Sequence, residues 1–362
     1  MLQAIFQKID SDKILNIKEL EYLLSLKDKK DTEQLFKKAY KVKTKYVGRK
    51  VFFRGLIEFS NICEKDCFYC GIRKSNQNSK RFMITYEEII DSAKFALENN
   101  YGSVVLQSGE RSDNYFADFV EKAIKGIKQI SDGKLGVTLC VGEQTEDVYR
   151  KWFNAGAHRY LLRIETSNKN LYRNLHPENH IFEKRIECLK MLKKIGYQLG
   201  TGVMIGLPRQ TVTDLVNDIL FFKEIDADMI GMGPYIPHHE TPLAEKVSDY
   251  NNDEYLELGL KMIAVTRIFL KDVNIASTTA LQALSPTGRE LGLLAGANII
   301  MPNLTETKYR PDYQLYNGKP CLDENSSMCK TCLQRRIEGI GETIGFGELG
   351  DSPHALKKEH AS

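Results

Sequence analysis

The sequence predicts an α/β fold, a complete (β/α)8 TIM barrel with an N-terminal helical cap and a C-terminal cysteine-containing extension. Short apolar runs alternate with helical stretches from about residue 51 to residue 302. Strands separated by helices of roughly 10 to 15 residues are typical of parallel βαβ units. Eight such units favour a closed barrel, and the alternative is an open doubly wound sheet. The length of 362 residues is sufficient for one barrel with additions at both ends.

The predicted domains are a helical cap at 1–48, a barrel at 49–305 and an extension at 306–362. Apolar residues recur at helical spacing through the cap, which indicates two or three short helices. Thr85 and Glu88 form a capping-box pattern that predicts a helix extending to Asn100. The eight strands are predicted at 51–59, 103–107, 135–141, 160–166, 199–206, 229–234, 273–279 and 298–302.

The overall charge gives no reason to expect a polyanionic partner. Lys and Arg number 51, Asp and Glu number 48, and the net charge is +3, so we expect neither nucleic acid nor an anionic membrane as a partner. The chain has eight cysteines, no signal-peptide pattern and no apolar run near 18 residues. We therefore expect a cytoplasmic protein whose thiols stay reduced and bind metal.

The first strand leads directly into a group of three cysteines, Cys63, Cys67 and Cys70. Three thiolates this close can ligate three irons of one 4Fe-4S cluster, which leaves the fourth iron open for a small molecule. A zinc knuckle or unligated thiols are the alternatives, but structural zinc takes four protein ligands. The nearest histidine downstream is His158, so the spacing favours a cluster.

This spacing, with Tyr69 just before the last cysteine, resembles the radical S-adenosylmethionine (SAM) superfamily. The resemblance implies that the amino and carboxylate groups of SAM fill the open iron. It also implies that an electron from the cluster cleaves SAM to a 5'-deoxyadenosyl radical.

The carboxyl ends of barrel strands meet at one mouth, which selects further candidates. Arg163 and Glu165 alternate along the fourth strand and are expected to point to the same side, where opposite charges need partners or a ligand. Arg185, on the next helix, is either a second cation near SAM or a surface arginine. Thr138 is expected beside the substrate, whereas Cys140 is expected to be a small core residue.

A second cysteine group, Cys321, Cys329 and Cys332, follows the last predicted strand. Three thiols in a polar segment predict an accessory 2Fe-2S or 4Fe-4S cluster. Zinc, or ligands that bind nothing, are the alternatives.

From about Tyr46 to Gly345 the chain resembles the HydE family of radical SAM maturases of FeFe-hydrogenase. The resemblance is carried by the runs 57–61, 105–110, 160–163, 233–238, 241–244, 278–279 and 300–303, by 313–316 and by the spacing of the tail cysteines. It implies a complete barrel, a SAM-binding cluster at the top and an internal cavity that reaches toward the bottom. In one departure, Ile164 stands where some members carry histidine.

The resemblance also implies roles for single residues. The cluster ligands are Cys63, Cys67 and Cys70; SAM is surrounded by Tyr69, Gln107, Ser108, Arg163, Glu165, Arg185 and Met204; the substrate cavity is lined by Thr138, Thr278, Thr279, Met301 and Tyr313. The implied substrate is a small organometallic or thiol-containing molecule, an Fe(CO)2(CN)-cysteine precursor of the diiron subsite. Companion hydrogenase maturases and a reductant such as ferredoxin or flavodoxin are the implied partners.

Three other functions remain as alternatives. The nearest is a lysine mutase like methylornithine synthase (PylB), which shares the cysteine spacing and the cap. Sulfur insertion as in biotin synthase is more distant. A non-catalytic iron-sulfur carrier would hold a cluster without cleaving SAM.

Overall fold

The computed structural model describes residues 1–323 and 326–359, without the side chains of 327–329 and 359. The helices are α1 Leu2–Asp10, α2 Ile17–Leu24, α3 Lys29–Tyr46, α4 Tyr86–Glu98, α5 Asn114–Ile130, α6 Glu146–Asn154, α7 Lys169–Leu175, α8 Phe182–Ile195, α9 Val212–Glu224, α10 Asn252–Leu270, α11 Thr279–Leu284, α12 Gly288–Ala295, α13 Ser326–Gly339 and α14 Pro353–Glu359. The strands are β1 Lys50–Ser60, β2 Ser103–Ser108, β3 Gly136–Cys140, β4 Arg159–Leu161, β5 Gln198–Thr201, β6 Met204–Ile205, β7 Met229–Ile230, β8 Gly233–Pro234, β9 Asn274–Ile275, β10 Ile299–Ile300 and β11 Thr343–Ile344.

The strands form a curled parallel sheet in the order β10-β1-β2-β3-β4-β5-β7-β9, so the α/β prediction is confirmed. Each of the eight predicted strands contributes to this path, although the later ones are shorter than predicted. The two ends of the path also touch. Ser277 N donates to Ile299 O at 2.8 Å, Asn298 N donates to Ile275 O at 2.9 Å, and Ala276 bridges Ile299.

Local sequence explains where the helices around the sheet begin. Thr85 and Glu88 form the predicted capping box, with Glu88 N donating to Thr85 Oγ1 at 3.2 Å and Thr85 N donating to Glu88 Oε2 at 2.8 Å. Helix α4 ends at Glu98, shortly before Asn100, whose φ of 56° cannot continue a helix. The boundary of α4 is therefore two residues earlier than predicted.

The N-terminal segment forms three helices that pack on the outer layer of helices. Helix α3 has 18 residues and contacts α10 and α12, while α2 contacts α9 and α10. The apolar side chains of Leu20, Leu23 and Leu35 are fully buried in these contacts. Burial of each such side chain contributes roughly 1.5–3 kcal/mol to folding. Helix α3 is thus longer than the predicted short helices.

Residues 349–351 contact the amino-terminal side of the sheet. Arg159, on β4, donates to Leu349 O and to Asp351 Oδ1, each at 2.6 Å. Arg54, on β1, donates to Gly350 O at 3.1 Å, and this carbonyl also accepts from Asn274 Nδ2 at 2.8 Å. These residues of the predicted extension therefore pack against the end of the sheet that lies opposite the cysteine group.

Over the described residues, no helix has both the length and the apolar character that a membrane span requires.

Candidate active site

A cavity of about 340 Å³ opens at the carboxyl ends of the strands. Small-molecule sites typically have volumes of about 300–1,000 Å³. Most of the predicted site residues line this cavity: Cys63, Cys67, Tyr69, Cys70, Gln107, Ser108, Arg163, Glu165, Arg185, Met204, Thr278, Thr279, Met301 and Tyr313. The structure thus brings together residues that are up to 250 positions apart in sequence, from Cys63 to Tyr313.

The loop that carries the three cysteines is held by hydrogen bonds at its base. Asn61 donates to Lys80 O at 2.7 Å and to Asp312 O at 2.6 Å. A Cβ atom on Gly109 would lie 2.4 Å from Ile62 O and 2.8 Å from Cys63 Cβ. The loop therefore packs directly on the backbone of the turn after β2, which requires glycine there.

The three thiols fit an iron-sulfur cluster. Burial raises the pKa of Cys63 and, together with the other thiols, raises the pKa of Cys67 well above its usual value. The pKa of Cys70 is raised to about 12 by burial and by Cys63. Three neighbouring thiolates are thus disfavoured without a cation, and bound iron offsets both the burial and the repulsion. Cys63 Sγ also accepts from Glu110 N at 3.4 Å.

Two histidines that the sequence did not suggest lie beside the cysteines. His180 Nδ1 is 3.9 Å from Cys67 Sγ, and its Nε2 faces Asp66 N at 3.4 Å. His176 Nε2 is 3.4 Å from Tyr69 OH. His158, the nearest histidine downstream in sequence, lies instead beside Asp351 at 3.5 Å.

The ligand atoms of Cys67, His176 and His180 lie within 4.8 Å of one another, a spacing that also suits a single metal ion. Two histidines near the cysteines that could bind zinc were therefore missed, because they are distant from the cysteines in sequence. The loop between α7 and α8, after strand β4, is the signal that could have located them, because loops after strands line the mouth.

Arg163 and Glu165 form the predicted pair, but for a different reason. Arg163 Nη2 and Nε donate to the Glu165 carboxylate at 2.9–3.1 Å. Strand β4 already ends at Leu161, and Glu165 has a φ of +66°. Side-chain alternation thus does not extend to Glu165. A left-handed backbone at a residue other than glycine costs roughly 1–3 kcal/mol.

Arg185 is buried, and its guanidinium belongs to an ion network rather than to the surface. Its Nε lies 2.7 Å from Glu143 and its Nη2 lies 3.6 Å from Glu110. Lys65 approaches both carboxylates, at 3.1 Å from Glu110 and 3.0 Å from Glu143. Gly142 makes room for this network, because a Cβ there would lie 2.2 Å from the Glu110 side chain. The network gives the cavity wall near the cysteines a fixed charge arrangement.

A second buried ion pair lines the cavity near β1 and was not predicted. Lys319 Nζ lies 2.5 Å from Glu58 Oε1, and Asn303 Nδ2 donates to Glu58 Oε2 at 2.9 Å. Lys319 also donates to Tyr313 O at 2.9 Å. Tyr313 OH accepts a hydrogen bond from Gln107 at 3.3 Å. Burial and, to a lesser extent, the charge of Glu58 raise the pKa of Tyr313 well above its usual value. Tyr313 therefore presents a neutral hydroxyl.

Thr138 and Cys140 lie at different depths in the sheet from those expected. The side chains of Thr138 and Cys140, both on β3, face inward, but Cys140 lines the main cavity. Thr138 lines a small cavity beneath it, where its hydroxyl accepts from Arg159 at 3.4 Å. Two residues along a strand correspond to roughly 6.6 Å, so Thr138 lies one layer farther from the mouth. Cys188 is buried in the core, as expected.

Neither Cys321 nor Cys332, the two tail cysteines whose side chains are described, lines the main cavity. Cys321 is half-buried, has a φ of +64° and accepts from Gln282 Nε2 at 3.9 Å. Cys332, on α13, is exposed, and the side chain of Cys329 lies outside the described residues.

Comparison with known proteins shows the family to which the chain belongs. The sequence profile of the Radical SAM superfamily matches residues 57–222, which include the cysteine loop and the Arg163–Glu165 pair. The [FeFe] hydrogenase maturase subunit HydE of Thermotoga maritima is 48% identical over 327 residues, which cover 90% of this chain and 91% of that protein. The chain belongs to the HydE family. It is therefore a radical SAM enzyme, and the superfamily implies a 4Fe-4S cluster and SAM.

Solved structures support the fold of this HydE-family chain. The crystal structure of methylornithine synthase (PylB) has a TM-score of 0.80 and 26% identity, covering 94% of this chain and 97% of that one. The hydrogenase maturase HydG from Carboxydothermus hydrogenoformans has a TM-score of 0.78 and 22% identity, covering 95% and 79%. The second likeness concerns the fold alone.

Proposed function

We propose that this HydE-family chain cleaves SAM reductively and uses the reaction to assemble the diiron subsite of the FeFe-hydrogenase H-cluster. One observation carries the proposal: three half-buried thiols, those of Cys63, Cys67 and Cys70, line a cavity of small-molecule size in a chain of this family. When bound there, the cluster supplies the electron that splits SAM into methionine and a 5'-deoxyadenosyl radical. The protein's part is to hold, orient and enclose these groups.

We propose that the residues near the cysteines bind SAM. Arg185 offers a buried guanidinium suited to a carboxylate, and the Glu165 carboxylate suits ribose hydroxyls. Arg163 holds Glu165 in place because its Nε and Nη2 atoms both donate hydrogen bonds to the Glu165 carboxylate. The remaining proposed SAM contacts are Tyr69, Gln107, Ser108 and Met204.

Deeper in the cavity we propose the substrate site. Thr278, Thr279, Met301 and Tyr313 combine hydroxyl donors with a soft thioether, which suits a small polar molecule. Thr138 then belongs to the lower end of this site, in the small cavity beneath. The proposed substrate is the Fe(CO)2(CN)-cysteine precursor, supplied by a companion maturase.

We also propose that the sheet is a complete (β/α)8 barrel. The hydrogen bonds and the bridge that join the segments after β9 and before β10 support closure. The proposed divisions are a cap at 1–48, the barrel at 49–305 and an extension at 306–362.

We further propose an accessory cluster, a reductant and a cellular location for this chain. Cys321, Cys329 and Cys332 are proposed ligands of an accessory cluster. Ferredoxin or flavodoxin is the proposed reductant. The reduced state that these thiols need is consistent with a cytoplasmic location.

In vitro maturation of apo-hydrogenase tests this function. We expect hydrogenase activity when this protein is combined with the companion maturases, and no activity when it is omitted. A Cys67→Ser variant is the matched control, since it removes one iron ligand and should fail to replace the wild-type protein. Equal activity with and without this protein would contradict the proposal, and conversion of lysine to methylornithine would favour the PylB-like mutase instead.

A further inference from the structure

Among the described residues, the charged side chains that line the main cavity form ion pairs, with one exception. Lys319 pairs with Glu58, and Arg163 pairs with Glu165. Lys65 and Arg185 both pair with Glu110 and with Glu143, and Glu143 itself does not line the cavity. Arg289 lines the same cavity and has no carboxylate within ion-pair distance in the described part of the chain.

Arg289 is the second residue of α12, and only 3% of its surface is exposed. Its Nε and Nη1 atoms are buried and have no hydrogen-bond partner among the described residues. The Arg289 backbone is held in place, because Ser277 Oγ donates to Arg289 O at 2.8 Å. A buried guanidinium that lacks an anion destabilises the fold. A bound ligand with a negative charge would offset this cost.

Hydroxyl groups also line this cavity, and Ser277, whose side chain contacts the Arg289 backbone, directly precedes Thr278. Thr278 Oγ1, which lines the cavity too, is buried and has no partner among the described residues. Tyr316 OH donates to Thr279 Oγ1 at 2.9 Å, and both residues line the cavity. A planar guanidinium with a nearby hydroxyl matches a carboxylate better than a thiol or a neutral diatomic ligand.

We propose that Arg289 binds the carboxylate of an amino-acid-like substrate, with Thr278 as a second donor. This inference rests on the proposed function and adds the residue that binds the carboxylate of the proposed cysteine-containing precursor. SAM also carries a carboxylate, but Arg185 and the groups around it lie beside the cysteines, where that carboxylate belongs.

The test compares two thiols that differ by one carboxylate, L-cysteine and cysteamine. Binding is measured by anaerobic calorimetry on the reconstituted, SAM-loaded protein and on Arg289→Met, Arg289→Lys and the exposed control Arg173→Met. We expect wild type and the control to bind L-cysteine at least tenfold more tightly than cysteamine. Arg289→Met should lose this preference, and Arg289→Lys should keep part of it.

Thermal melts separate a binding role from a structural one. Without ligand, Arg289→Met should melt at or above the wild-type temperature, because a buried unpaired charge is removed, and L-cysteine should no longer raise the melting temperature. Equal binding of the two thiols to wild type, or an unchanged preference in Arg289→Met, would overturn the proposal. Loss of SAM affinity in Arg289→Met would also overturn it, since the carboxylate would then be that of SAM. Failure of wild type to cleave SAM would contradict the proposed function instead.

Discussion

Asp218, on α9, supports the end of the segment that carries Glu165. Its Oδ1 accepts from Ser167 N and from Ser167 Oγ, each at 2.6 Å, while Oδ2 is buried without a partner among the described residues. Burial raises the pKa of Asp218 from 3.8 to about 7. The folded protein therefore binds a proton that the unfolded chain releases between about pH 4 and pH 7.

The raised pKa of Asp218 predicts that Asp218→Asn gains stability in a pH-dependent way. Because the folded-state pKa is raised, the free energy of unfolding of the wild type should fall as pH rises from about 4 to 7. Asparagine keeps the acceptor for Ser167 and cannot ionise. At roughly 1.4 kcal/mol per pKa unit, the variant should exceed wild type by a few kcal/mol at pH 8 and by much less at pH 4.5.

Urea unfolding at the two pH values measures this difference. Asp249→Asn, at an exposed position, is the matched control and should show little change. A stability difference that stays the same at both pH values would contradict the raised pKa.

At the scale of elements, the cysteine loop and the turn after β2 form one unit. A Cβ at Gly109 would meet the Ile62 carbonyl and Cys63 Cβ. Gly109→Ala should therefore shift the loop and lower the iron content after anaerobic reconstitution by at least half. Gly339→Ala is the control, because nothing lies within 4 Å of a Cβ there. Iron analysis and absorbance measure the outcome, and full iron content in Gly109→Ala would show that the loop tolerates the displacement.

The elements themselves could be predicted well from sequence. Alternating strands and helices, the capping box at Thr85 and the convergence of strand ends all depend on local patterns. The depth of a residue in the cavity could not be predicted in the same way. Thr138 and Cys140 point to the same side, and which of them reaches the main cavity depends on the tilt and stagger of the strands.

Contacts between distant segments also lie beyond local pattern. Lys319 pairs with Glu58 across 261 positions, and His180 reaches Cys67 across 113. No local motif in either pair of segments predicts the contact between them. Resemblance supplied the shared residues of the family, whereas the unpaired Arg289 became visible only when each charge in the cavity could be matched with its partner.

At the scale of the whole molecule, a buried ion pair ties the N-terminal helices to the segment before β11. Lys43 Nζ lies 2.5 Å from Glu342 Oε2, both side chains are fully buried, and Tyr40 OH donates to Glu342 Oε1 at 2.5 Å. Burial, partly offset by Glu342, lowers the pKa of Lys43 to about 8. The pair therefore joins residues 299 positions apart under the outer helices.

Breaking one half of this pair should cost more than replacing both halves. Lys43→Met leaves Glu342 buried without its cation, which should lower the free energy of unfolding by roughly 3–5 kcal/mol. Lys43→Met with Glu342→Gln removes the uncompensated charge and should recover most of the loss. Chemical denaturation of both single variants and the double variant measures the coupling, and simple additivity of the two single losses would contradict it.

The proposed function requires one cluster, with Cys63, Cys67 and Cys70 as its proposed ligands, that binds SAM. The most direct measurement is 5'-deoxyadenosine formation with dithionite and SAM, in a variant whose tail cysteines Cys321, Cys329 and Cys332 are all serine. We expect about four irons per chain, steady formation of 5'-deoxyadenosine, and loss of both when Cys67→Ser is added. Zinc at the first three thiols, or 5'-deoxyadenosine that persists without Cys67, would contradict the account.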